Sequence, residues 1–336
     1  MRTILTLMNH QRTNDDLERG LSLSRFFGFL FPYETDTWLT VLRIGLGAQI
    51  ILFCLSIRGD WNYLLGASGS LISRTLSEKL LSFESIFIPR LGWLVSLGAR
   101  VRVNEHQTLL LVWSCLLIAG FLLVIGLVCR PAAIAAWFFH LAAVKSGDLV
   151  SYGVDNFTTI GLFYLMLSPL PDRFSLDARL WKKRAQDRQI FGFWRRVLQT
   201  HLCFIYFFGG VAKATGIGWW DGSNVWRALI RPPFNLINPY TLVHWKFIFP
   251  IAGISILILE TAYPIFIWPK RTRPLWLALI CAMHVGIALT MGMYLFASVM
   301  IVLNLAAFGP GILWMRRRAP DDGPLFSGSM IPSPNN

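Results

Sequence analysis

The sequence is poor in charge. Asp, Glu, Lys and Arg supply 15% of its 336 residues, while 54% are hydrophobic and 14% aromatic; soluble domains carry about 25% charged residues. With a mean hydropathy of +0.52, this balance excludes an ordinary water-soluble domain and fits a polytopic membrane protein. Cysteine is scarce too. Cys54, Cys115, Cys129, Cys203 and Cys281 all fall inside apolar segments, with no CxxC pair and no zinc spacing, so they are expected as small buried hydrophobes. GxGxxG, P-loop, HExxH and nucleophile-elbow patterns are missing, which leaves soluble-cofactor chemistry without a foothold. The first 37 residues are polar and mixed in charge. They lack the pattern of a cleavable signal, so the first helix is expected to insert uncleaved.

What is present is a series of apolar windows near the length that spans hydrocarbon. They lie at 38–57, 107–129, 131–147, 157–171, 198–215, 247–268, 274–293 and 295–314. The expected fold is therefore all-α: a polytopic integral membrane bundle of about eight transmembrane helices, with a range of seven to nine because 131–147 and 157–171 are short. Breaks fall at Arg130-Pro131, at Pro169-Leu170-Pro171 and between Pro269 and Pro274. Residues 1–37 form an expected cytoplasmic segment, 38–315 the transmembrane domain, and 316–336 a disordered cytoplasmic tail.

The net charge of +13 is explained by topology rather than by nucleic acid, because the basic residues cluster between apolar runs. With both termini in the cytoplasm, inner segments hold nineteen Lys and Arg against ten outside. Six of the ten lie in the long stretch 58–106, and long loops translocate largely regardless of charge. Both termini are therefore expected inside, in a multi-pass protein of the cell inner (plasma) membrane. The run Trp181 to Arg196 becomes an inner anchor with anionic-lipid contact.

Lys213 is the residue of greatest chemical interest. It ends the apolar run Leu198 to Ala214 and is followed by Gly218-Trp219-Trp220-Asp221-Gly222. A charged amine in hydrocarbon costs at least ~2.5 kcal/mol on insertion scales, and a lysine shielded from water can serve as a base near neutral pH. Tyr206, Gly210 and Lys213 are spaced to share one helix face, and glycines at 209 and 210 allow close approach by a neighbour. The alternative is a lysine that snorkels to headgroups. Glu260 and His284 lie deeper, near the middle of their windows. Glu260 either pairs with Arg43 or is protonated. His284 serves as a proton carrier, as a hydrogen-bond donor to a bound oxygen, or as a structural residue. His140 and Arg43 are weaker candidates, the latter read as a snorkelling arginine. In the outer junction, Tyr152, Asp155 and Asn156 precede or open a helix, where Asp155 either caps it or faces the site. The outer loop 216–246, rich in Trp, is read as an interfacial aromatic belt or as a lid over a flat apolar ligand.

Four segments carry a resemblance. IYFFGGVAKATGIGWWDG, SYGVDNFTTIGLFYLMLSPLPDRFSLD, ETAYPIFIW and HVGIALTMGMYLFASVM resemble blocks of the HTTM (horizontally transferred transmembrane) family, which comprises vitamin K-dependent gamma-carboxylases and their bacterial relatives. The similarity covers about 38–315 in family order. It implies that Lys213 is the base that deprotonates a reduced, vitamin K hydroquinone-like quinone, and that His284 stands near the hydroquinone. Glu260 falls where the family has an acidic residue, and Tyr206, Trp220 and Gly222 match its aromatic and glycine positions. Where the carboxylases read Asn-His, this sequence reads Asp155-Asn156. The carboxylases also carry a large lumenal domain that grips a protein substrate; none is recognisable here, so processive hold on a protein is not expected.

Two functions follow as expectations. One is a membrane enzyme, carboxylase/lyase-like or quinol-oxidising, in which Lys213 acts on a quinol-like apolar substrate at the outer half of the bilayer. Tyr206, Trp219, Trp220, Asp221, Asp155, Asn156, Tyr152 and Glu260 would surround that substrate. The other is an accessory protein for maturation or export of a small secreted peptide, or for lipid binding, as in short relatives from bacterial peptide-maturation systems. Transport is disfavoured because the hydropathy shows no inverted repeat.

Overall fold

A computed structural model describes residues 24–67, 74–85, 87–147, 151–181 and 188–310. The expected tail 316–336, the end of the last apolar window and the first part of the N-terminal segment lie outside these residues. Among the described residues every regular element is helical. Eight helices run 14 residues or more: α1 Thr37–Ser56, α2 Glu105–Ile125, α3 Cys129–Ser146, α4 Gly153–Leu167, α5 Arg188–Ala214, α6 Ile248–Thr261, α7 Arg273–Met291 and α8 Tyr294–Phe308. Of these, α1, α2, α5 and α7 are long and apolar enough to cross a membrane; α6 and α8 are apolar but shorter.

Local chemistry sets the ends. Asn104 and Gln107 form a reciprocal capping box at the start of α2, and Pro274 occupies the first turn of α7. The sixth apolar window was expected to be continuous to 268. Instead α6 stops at Thr261 and a short turn, Tyr263–Phe266, follows. Pro264 is the cause, since it lacks the N–H that would continue the ladder. The fifth helix begins ten residues before its expected start, at Arg188 rather than 198. The stretch 58–106, expected as a loop, carries the short helices Trp61–Leu65, Arg74–Glu84 and Leu91–Arg100. Trp61 anchors them by donating to the Leu109 carbonyl at 2.9 Å.

α1 and α8 form the centre. α1 packs on α2, α4 and α8, while α8 packs on α7, α5 and α4, and α5 pairs with α6. The core of this centre is a stripe on α1, Leu39, Leu42, Leu46 and Ile50, against Val299, Leu303 and Ala306 of α8. Gly47 and Gly120 let α1 and α2 touch backbone to backbone. A methyl on Gly47 would stand 2.9 Å from both the Gly120 carbonyl and the Val124 nitrogen. Large apolar side chains such as Leu52, Phe121, Phe208, Ile251 and Leu289 point outward and are exposed, the pattern of a bundle whose solvent is hydrocarbon.

α1 runs antiparallel to α2, and α5 antiparallel to α8. Near the start of α1, Arg43 donates to the carbonyls of Leu123 and Val124, at the end of α2. Near the start of α5, Arg195 and Gln199 both donate to the Ala307 carbonyl, at the end of α8. Arg43 does not snorkel, and it does not pair with Glu260. Its Nε meets Asp172 Oδ2 at 2.5 Å and its Nη2 meets Oδ1 at 3.3 Å, with side-chain exposures of 1% and 0%. Thr40 and the Phe174 nitrogen also donate to Oδ1. Asp177, five residues on, accepts the backbone nitrogens of Val128 and Cys129 at 2.7 Å each. The segment after α4 thus locks the α2–α3 turn and the base of α1 together.

Candidate functional site

α5 carries Tyr206, Gly210 and Lys213 toward α6. A methyl on Gly210 would stand 2.5 Å from Thr261 Oγ1 and 2.7 Å from its nitrogen, so only glycine permits this approach. The approach sets Glu260 opposite Lys213, and the ammonium donates to Glu260 Oε2 at 2.5 Å. The Lys213 side chain is 29% exposed and that of Glu260 9%, so the pair has an open side at the amine and a closed side at the carboxylate. Lys213 Nζ also lies 5.6 Å from the centroid of the Trp219 ring, in cation–π range. The ring is held because the Trp219 carbonyl packs directly on Gly253 of α6.

Two turns deeper, a buried polar network joins four elements. Asn304 of α8 donates through Nδ2 to Tyr206 Oη at 2.8 Å, and its Oδ1 accepts from Tyr263 Oη at 2.7 Å. Tyr206 Oη and His284 Nε2 are 2.8 Å apart. The Tyr206 and Tyr263 rings sit 4.3 Å apart. Tyr206 accepts from Asn304, and its own proton is directed to His284 Nε2. The neutral imidazole then carries its hydrogen on Nδ1. That nitrogen is buried and has no hydrogen-bond partner among the described residues. An unfilled buried polar atom costs about 1–3 kcal/mol, so Nδ1 is the point in this network where an added oxygen would be stabilised.

The remaining expected site residues fall elsewhere. Asp155 Oδ2 accepts the Tyr152 nitrogen at 2.9 Å, so the carboxylate caps α4. Phe296 stands between that helix start and His284, 6.1 Å from the Phe157 ring and 5.7 Å from the imidazole. Tyr152 and Asp155 line a separate cavity of about 170 Å³ with Phe53, Ile57 and Leu295, a space that neither Lys213 nor His284 borders. Asn156 is exposed. Trp220 is half exposed and donates through Nε1 to the Ala214 carbonyl, which ends α5. Asp221 accepts the Ser223 nitrogen at 2.8 Å. Hydrogen bonds from Ser223 hold its carboxyl below the ordinary carboxylate range. Trp220 and Asp221 therefore shape the turn after α5, while Trp219 alone of the three reaches the lysine. The loop 216–246 folds into the helices Ile217–Trp220, Ser223–Ile230 and Pro239–His244. His140 bonds Thr159 Oγ1 through Nδ1 at 3.0 Å and is packed edge-on against Phe53.

No protein-family model, curated protein or solved structure matches this chain. The likeness to the carboxylases therefore rests on the four segments alone. Among the described residues no group of three or more His, Cys, Asp or Glu stands ready to hold a metal ion.

Sequence reasoning missed Asn304 and Tyr263. Asn304 was legible as a lone amide in the apolar run ASVMIVLNLAAF, a position that asks for a buried partner. Replacing Asn304 by Ala strips hydroxyl partners from Tyr206 and Tyr263 together. The expected loss is about 1–3 kcal/mol, read as a lowered thermal midpoint in detergent or nanodiscs; an unchanged midpoint would show the network to be energetically idle.

Proposed function

We propose that this protein is an eight-span integral protein of the plasma membrane, with both termini cytoplasmic, and that it uses Lys213 as a base on a quinol-like aromatic substrate. The observations that carry the reading are the Lys213–Glu260 pair, open at the amine, and a buried His284 nitrogen in the Tyr206 network on the same helix that has no hydrogen-bond partner among the described residues. The distribution of Lys and Arg supports the orientation. It sets Lys213, Trp219 and the start of α6 at the outer half of the bilayer.

The pair holds one shareable proton. With that proton on Glu260, the amine is neutral and can accept the proton of a substrate hydroxyl. The products are an ammonium held by Trp219 and Glu260, and a substrate oxyanion. His284 Nδ1–H is oriented by the Tyr206 and Asn304 bonds to donate to a substrate oxygen, which stabilises charge as it develops. Trp219 beside Lys213 and Phe296 beside His284 supply aromatic faces that suit a flat apolar ring. Resemblance to the vitamin K-dependent gamma-carboxylases points to the same substrate class, a reduced naphthoquinone. The test is oxidation of reduced naphthoquinone by dioxygen with purified protein. Wild type is expected to accelerate it and Lys213→Ala to lose that acceleration; equal rates, or no acceleration by wild type, would remove the proposal.

A further inference from the structure

At the opposite end of the bundle from Lys213, three arginines converge around one carboxylate. Arg195, Arg196 and Arg273 are close enough to act on one another electrostatically, and Glu34 is the carboxylate that acts on them among the described residues. Arg195 Nη1 meets Glu34 Oε2 at 2.7 Å. Its Nε donates to the Ala307 carbonyl at 2.9 Å. Arg273 holds the α6–α7 turn through the carbonyls of Ile267 and Trp268. The cluster is left with an excess of two positive charges.

Arg196 is the member placed to use that excess. Its guanidinium lies 4.4 Å from the Phe29 ring centroid and 4.9 Å from that of Trp268. It donates to the Phe29 carbonyl and to Gln199 Oε1, both at 2.9 Å. A guanidinium carries five N–H donors, so these bonds use only part of the fork. The surroundings are those of a membrane interface. The short helix over residues 24–30 exposes Phe26, Phe27 and Phe29 at 56%, 55% and 45%, and Lys270 and Arg271 are exposed on the turn that precedes Arg273. Exposed aromatics beside basic groups match the acyl-chain and headgroup levels of a leaflet.

We propose that the Arg195–Arg196–Arg273 cluster is a headgroup site for an anionic phospholipid. The arginine fork takes the phosphate, Lys270 and Arg271 form the outer rim, and Phe29 and Trp268 meet the upper acyl chain. Planar guanidinium suits bidentate phosphate contact, and two unmatched charges complement a lipid whose net charge is negative. The inference rests on the membrane-spanning reading and is independent of any chemistry at Lys213.

The test uses the full chain purified from phosphatidylcholine containing a minor fraction of phosphatidylglycerol, with retained lipid read by native mass spectrometry. Removing two of these charges by Arg196→Gln with Arg273→Gln is expected to weaken phosphatidylglycerol retention about thirtyfold. The rim pair Lys270→Gln with Arg271→Gln, which removes exposed charge rather than packing, is expected to weaken it in the same direction with an unchanged thermal midpoint in phosphatidylcholine. Arg227→Gln with Arg231→Gln, at the other end, is expected to retain the lipid as wild type does. Inorganic phosphate is expected to leave bound phosphatidylglycerol in place. Equal retention by the wild type and both cluster variants would overturn the site. So would an equal loss in the Arg227 and Arg231 variant, and displacement by inorganic phosphate would assign the cluster to a free anion instead.

Discussion

Lys213→Ala should abolish base-dependent turnover of reduced naphthoquinone, with a loss of about 10²–10⁴-fold, the range that general acid–base catalysis supplies. The size follows from the geometry. The amine has one carboxylate partner, Glu260, at 2.5 Å and one aromatic neighbour, Trp219, and the carboxylate left by its removal is a far weaker base than an amine. Lys213→Arg should fail to restore activity although it keeps the charge and the ion pair, because a guanidinium does not give up its proton in a protein. Glu260→Gln should be intermediate, since the amine remains but loses the acceptor that takes its proton. Rates measured under air against a protein-free control decide the series. A fully active Lys213→Arg would mean that the side chain supplies charge alone.

Asp172→Ala should be the most destabilising single substitution at the other end of the bundle, by about 3–5 kcal/mol. Arg43 and Asp172 are both fully buried, and the carboxylate also holds Thr40 and the start of the 174–177 turn. Removing it leaves a guanidinium inside the bundle whose remaining hydrogen-bond partners among the described residues are the Leu123 and Val124 carbonyls. The cost is that of an uncompensated buried charge rather than of a lost attraction. Replacing both members, Arg43→Met with Asp172→Leu, should recover much of the loss. Thermal unfolding of the three variants in detergent measures this. Equal midpoints for wild type and Asp172→Ala would show that the pair is solvated and structurally dispensable.

Much of the fold was legible because apolar runs and prolines act locally. The windows at 38–57, 131–147 and 274–293 lie within three residues of α1, α3 and α7 at either end. The fifth helix was cut short at 198 because Arg195 and Arg196 read as a loop. They are tolerated on α5 because Ala307, Glu34, Phe29 and Trp268 satisfy them from other elements. Partner choice was harder. Glu260 was visible as a buried acid, but whether it meets Arg43 or Lys213 depends on which helices are neighbours. α6 packs on α5, whereas α1 packs on α2, α4 and α8. Asp155 illustrates the same limit. Its helix-capping role could be read from its place in the first turn, while the ring that stands between its helix start and His284 is Phe296, a residue with no polar signature. The Lys213, Tyr206 and Gly210 face was readable from spacing alone, yet the hydroxyl–amide–imidazole network behind it needed four segments brought together.

The most direct measurement of the central claim is an ultraviolet difference spectrum of reduced naphthoquinone bound anaerobically to the protein in nanodiscs near neutral pH. With dioxygen excluded, the spectrum reports the proton alone. Wild type should show the quinolate band on binding, and Lys213→Ala should bind the same quinol without it. A quinolate band of equal strength in both, or a neutral quinol spectrum in wild type, would contradict the assignment of Lys213 as the base.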